Sequence, residues 1–173
     1  MKIIFILDQI QAGLGGVEQS MQPLGGKNMG IGSVSMFEKI LPKVDGQVIA
    51  TLYSGDEFFA SDPETNALKM AAMVKKMNAD VVVCGPCFHY EGYGKMAAQS
   101  AYAIETRTGI PTVSAMSKEV ADVIAEYKEK INIVKMPKKG EVGLSESLEH
   151  ILELAKLKAE QADTTAFVLA HCY

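Results

Sequence analysis

Cys84-Gly85-Pro86-Cys87 has the most direct chemical reading in this chain. Two thiols three positions apart, after the apolar run Val81-Val82-Val83 and before a helix, are placed for dithiol exchange. That placement, before a helix N-terminus, lowers thiol pKa values and so favours the thiolate, which is the reactive form. Cys84 and Cys87 are therefore candidate catalytic residues, and His89 beside them is a candidate acid or base. The plainer alternative is two small apolar side chains at a strand end.

Three further stretches carry polar groups on glycine-rich backbone. Ala12–Gly16 (AGLGG) follows the first apolar run, where a dinucleotide fingerprint would stand. Gly13 and Gly15 fit that pattern, but Glu18 replaces its last glycine and the next helix is delayed to about Ser33. A loop that offers backbone N–H groups to a substrate or phosphate suits Gly13, Gly15, Gly16 and Glu18 better. Phe88–Gly94 places an imidazole, two phenols and a carboxylate at one strand mouth. Its Tyr93-Gly94 step, opening a helix, offers free N–H groups to a carboxylate. Ser54-Gly55-Asp56-Glu57 sets a carboxylate pair next to Phe58-Phe59, and its alternative is a polar turn anchored by two aromatics. Pro86, Gly55 and Asp56 join the substrate-side candidates. Cys84, Cys87 and His89 lack the partners of a zinc set, so no metal is expected. Gly109-Ile110-Pro111-Thr112 looks like the loop that thioredoxins set against their CxxC. Only one helix fits between Cys87 and Gly109, and the chain has no Trp, so a thioredoxin fold is not expected.

The elements that would position these residues alternate. Strands are expected at Lys2–Leu7, Gln47–Tyr53, Asp80–Cys84, Pro111–Ala115 and Ile131–Val134. Helices are expected at Ser33–Leu41, Pro63–Met77, Gly92–Thr108, Ser117–Tyr127 and Leu144–Ala162. Ala166–Ala170 reads as one more strand, within a C-terminal extra-strand region at 163–173. Asp62 and Pro63 make an N-cap and N1 pair, and Gly109 closes the third helix. The fold class is α/β: a doubly wound, Rossmann- or flavodoxin-like, mostly parallel sheet of five to six strands with helices on both faces, in one domain over 1–173. Such sheets bind ligands beyond the carboxyl ends of their strands, here Asp8–Gly16, Ser54–Phe59 and Gly85–Gly94.

Composition narrows the partners. A net charge of −4 argues against nucleic acid and anionic membranes, which attract basic patches. Asp8 ends the first apolar run after five residues, so that run reads as a buried strand and not a signal peptide. No run approaches a membrane span, and a cytoplasmic location is expected.

Together these blocks resemble a family. Leu7–Ser20 (LDQIQAGLGGVEQS), Gly25–Leu41, Ala50–Glu64, Ala79–Gln99, Arg107–Met116 and Ile131–Met136 are similar, in order, to the N-terminal part of the component B subunit of glycine, sarcosine and betaine reductases. The resemblance covers residues 1–155. It implies a place in the anaerobic reductive deamination of amino acids. It also implies a partner subunit holding the substrate amine on a pyruvoyl group, a small selenoprotein that takes up the carboxymethyl group, and thioredoxin as electron source. The family's selenocysteine lies in a second half that has no counterpart here, and the family loop has alanines where Cys84 and Cys87 stand. Two readings stay open: a stand-alone single-domain relative, or a frame cut at a selenocysteine codon. The β-prone ending Ala166–Tyr173 is compatible with the second. The functional expectation is a component-B-like domain that binds a small amino acid or its N-methyl derivative, or forms the complex, with no cofactor of its own. A dithiol oxidoreductase and a non-catalytic assembly domain, such as a homo-oligomer, are the alternatives.

Overall fold

A computed structural model describes all residues 1–173. Its six-stranded sheet contains β1 (Lys2–Asp8), β2 (Gly25–Lys27), β3 (Gln47–Ser54), β4 (Val81–Cys87), β5 (Thr112–Ser117) and β6 (Ile133–Met136). The spatial order is β2-β3-β1-β4-β5-β6. Every pairing is parallel except β2 with β3. The five parallel strands thus have the flavodoxin-type order, with the reversal of direction across the sheet at β1. β4 and β5 are buried at every position, and β1 at every position from Ile3 on. Alternate side chains of a strand point to opposite faces, so both faces of the sheet's centre are covered.

The helices are α1 (Asp56–Ser61), α2 (Pro63–Met77), α3 (Glu91–Thr108), α4 (Ala121–Tyr127), α5 (Leu144–Ala159) and α6 (Thr165–His171). α1, α2 and α4 all pack on α3, which lies against β1, β4 and β5. α5 lies against β4, β5 and β6 and meets the turn at 41–44. Local signals explain most boundaries. The Asp62 carboxylate accepts from the Thr65 N–H at 3.3 Å and caps α2, with Pro63 at its first position. Gly109 ends α3 at φ 73°, its N–H bonded to Glu105 O. No helix is long and apolar enough to cross a membrane.

Four expectations are corrected. The segment after Gly32 winds as 3₁₀ helix at Gly32–Phe37 and again at Leu41–Val44, not as an α-helix over 33–41. A stretch pinned between Gly32 at φ 56° and Pro42 is too short to repay nucleating an α-helix. Ser54-Gly55-Asp56-Glu57 is not a polar turn, because Asp56 and Glu57 open α1. β4 does not stop at Cys84 but continues through Cys87. The ending is a helix, α6, not a strand. Phe167, Val168, His171 and Cys172 recur at helical spacing, and the Asp163 carboxylate receives the Thr165 N–H at 2.9 Å. After α6, Cys172 bridges Val134 of β6 in antiparallel sense, and Tyr173 donates its N–H to Ile133 O.

Candidate functional site

The carboxyl ends of β1, β3 and β4 converge where the strand order reverses. β1 delivers Asp8 and Gln9 there, each 1% exposed. The Asp8 carboxylate accepts the Gln11 N–H at 2.6 Å. Burial pushes Asp8 up to about 6, the neighbouring Asp56 adds to the rise, and the N–H groups of Gln11 and Ile10 oppose it. Gln9 clasps Asp56 with both ends of its amide. Its Nε2 donates to Asp56 Oδ1 at 3.2 Å, and its Oε1 accepts the Asp56 N–H at 3.2 Å. Asp56 stands at the first position of α1 because Gly55 lets β3 turn directly beneath a crossing loop. A Cβ on Gly55 would collide with Ser20 O. That loop is held by backbone bonds from Gly55 N–H to Gln22 O and from Phe58 N–H to Ser20 O.

Two hollows open beside this cluster. One, of about 150 Å³, is lined by Asp56, Phe59, Pro63, Gly92, Lys95 and Gln99, among others. Asp56 and Lys95 carry opposite charges on its wall, yet they form no ion pair with each other or with any other side chain. Gly92 leaves the space that the Asp56 carboxylate occupies at the start of α3, since a Cβ there would meet Asp56 Oδ2. The second, of about 290 Å³, lies between Gln11, Phe88, His89, Lys138, Lys139 and Leu144. His89 is exposed at its rim and stacks on Tyr90, with ring centroids 4.2 Å apart.

The other residues expected from the sequence are placed differently. Cys84 and Cys87 are both fully buried. Burial pushes both thiols up, the reverse of the lowering expected at a strand end, so the thiolate that exchange requires is disfavoured. Pro86 is buried between them. Tyr93 is not a surface contact. Its ring is in the core and its hydroxyl donates to Ile6 O at 2.9 Å. The Gly94 N–H is not free, being bonded to Tyr90 O. Gly94 serves close packing, since a Cβ there would collide with Val120. The start of α3 lies against the Asp56 carboxylate at Gly92, which sets a negative group where a substrate carboxylate was expected. Gly13, Gly15, Gly16 and Glu18 line neither hollow. Glu18 folds back on its own loop, where the Gly16 N–H at 2.7 Å holds its carboxyl below the usual range. Of the expected residues, only Asp56, with Gly55 beneath it, reaches the smaller hollow, and His89 reaches the larger. Sequence reasoning passed over Gln9 and Lys95. A lysine on an α3 face and an amide after a strand carry no signal until the fold sets Gln9 against Asp56 and Lys95 on the same hollow.

Comparison with known proteins places the sequence in a family. The family described as glycine/sarcosine/betaine reductase selenoprotein B matches over residues 1–168. The glycine reductase complex component B subunit gamma of Peptoclostridium acidaminophilum is 30% identical over 130 residues, covering 73% of this chain and 29% of that protein. The subunit of the same name from Peptoclostridium litorale is 31% identical over 117 residues, covering 67% of this chain and 26% of its own length. The sarcosine reductase complex component B subunit beta of Peptoclostridium acidaminophilum is 26% identical over 160 residues, covering 92% of this chain and 36% of that protein. The chain therefore spans only about a quarter to a third of the curated relatives it matches. The resemblance read from the ordered glycine-bearing blocks holds over nearly the whole sequence, and the chain belongs to the glycine/sarcosine/betaine reductase selenoprotein B family.

Proposed function

We propose that this chain is a component-B-like domain of an amino-acid reductase system and that it takes up a small zwitterionic substrate in the hollow between α1 and α3. One observation carries the reading: Asp56 and Lys95 face the same hollow of about 150 Å³ with opposite charges and no ion pair between them. The volume is below the 300–1,000 Å³ typical of drug-sized ligands, so it suits a molecule of few atoms. The substrate ammonium lies toward Asp56, whose Oδ1 is held by Gln9 so that Oδ2 is left for the ligand. The substrate carboxylate lies toward Lys95. Phe59 and Met96 give the apolar wall that N-methyl groups prefer.

The reductive step belongs to other groups in this reading. A partner subunit supplies the pyruvoyl group, a selenoprotein supplies the selenocysteine, and thioredoxin supplies electrons to the system. The buried thiols of Cys84 and Cys87 make the dithiol alternative the weaker one. A thermal-shift panel of glycine, sarcosine, betaine and proline tests the proposal. Millimolar ligand raises the melting temperature of the wild type, and Asp56→Asn and Lys95→Met each lower the affinity about tenfold or more. A wild type indifferent to all four ligands overturns it.

A further inference from the structure

The outer face of α2, α3 and α4 holds a groove of about 300 Å³. Ala67, Leu68, Tyr102, Ala103 and Tyr127 give it an apolar lining. Leu68 is 40% exposed and Tyr102 45% exposed, two of the few large apolar side chains so open to water. Glu64 and Arg107 also line the groove, and neither takes part in an ion pair. Their positions follow from topology. α2 and α3 both return from the carboxyl to the amino end of parallel strands, so they run in the same direction. Glu64 is in the first turn of α2 and Arg107 in the last turn of α3. The two charges therefore mark opposite ends of one apolar groove.

A surface with its acid at one end and its base at the other is complementary to itself under a two-fold axis across its middle. The second copy's helices then lie antiparallel to the first copy's, which also opposes their dipoles. Each Glu64 meets Arg107 of the second copy, twice per contact, and the two Tyr102 rings come together near the axis. Tyr and Arg at the centre and margin of a patch are the residue types that anchor protein contacts. We propose that this face joins two copies of this chain into a two-fold dimer. The contact does not require a ligand in the hollow beside Asp56.

Sedimentation equilibrium on the full chain, from micromolar to millimolar, tests this with five proteins. The wild type reaches a dimer. Glu64→Arg and Arg107→Glu each set like charges face to face and raise the dimer dissociation constant about tenfold or more. The double variant exchanges the two signs and recovers wild-type assembly. Tyr102→Lys, at an exposed position that tolerates substitution, weakens the dimer by a similar factor, and circular dichroism confirms that each variant is folded. A wild type that stays monomeric throughout overturns the proposal. So do single variants that assemble like the wild type, or a double variant no stronger than the singles.

Discussion

The two ends of the sheet treat charge in opposite ways. At the amino end, Lys158 of α5 reaches Glu105 of α3 at 2.7 Å, Thr112 O at 2.7 Å and Asn132 Oδ1 at 3.1 Å. The same Glu105 oxygen accepts the Thr112 N–H at 2.8 Å. All three donors of the ammonium are used, and a helix from each packing group is tied to the sheet. At the carboxyl end, Asp8 and Asp56 share a neighbourhood with no cation bonded to either. Gln9 orients Asp56 without neutralising it, and Lys95 stands across a hollow. Paired charge at a strand end builds the fold, whereas charge held in place and left unpaired prepares a site.

Removing the cation at the amino end should give the largest effect. Lys158→Met leaves Glu105 without its counter-charge and Asn132 Oδ1 without its donor, and urea unfolding should show a loss of about 3 kcal/mol. A loss below 1 kcal/mol would erase the contrast, since the pair would then be ornamental. Asp8→Asn should do the reverse. The folded Asp8 holds its proton up to about 6, above the ordinary value of 3.8. The folded state therefore binds more protons than the unfolded one, and this carboxylate costs stability as pH rises from about 4 through 6. At about 1.4 kcal/mol for each pH unit between the two values, the ceiling is about 3 kcal/mol. Asp8→Asn should thus be more stable than wild type by about 2 kcal/mol near neutral pH and equal to it at pH 4, in urea titrations at stepped pH. A destabilised variant at neutral pH would make Asp8 a structural charge like Glu105.

Smaller changes sharpen the picture of the carboxyl end. Gly92→Ala pushes the Asp56 carboxylate out of its place beside α3 and should weaken amino-acid binding about tenfold while shifting stability by under 1 kcal/mol. Calorimetric titration beside a melting curve separates the two. Ser20→Ala removes the hydroxyl bond to Glu57 at 2.8 Å on an exposed surface. Its effect should stay under about 0.5 kcal/mol, because backbone bonds hold that loop over α1.

Much of this fold was written in hydrophobic runs. Ile3–Leu7 and Val81–Val83 could be read as buried parallel strands because every position there faces other protein. Runs of that kind fix the sheet, and strand order then fixes where a crevice must open. The error at Cys84–Cys87 came from punctuation. Gly-Pro ordinarily ends a strand, yet here the chain stays in the sheet with a register irregularity between the two cysteines. Both thiols therefore lie in the core and not at a reactive rim. Asp56 was visible because it stands in a carboxylate pair with Glu57, directly after a strand and before Phe58-Phe59. Lys95 was not, because one lysine on a helix looks like any solvated one until its distance from a carboxylate is known. The ending misled through composition, since Phe167 and Val168 favour strands while their partners four residues on obey helical spacing.

The margins of the sheet also bear on how the protein behaves among its own kind. Any open sheet edge is a row of free N–H and C=O groups that another extended chain can copy, and chains rich in Val and Ile are prone to it. One margin here is β2, three residues long, antiparallel, with two glycines and Lys27. The other is β6, four residues long, where Cys172 and Tyr173 take up pairing positions and the Tyr173 hydroxyl reaches back to Met116 O at 3.1 Å. Neither margin offers a long flat template for templated aggregation, so concentrated solutions should remain free of fibrils.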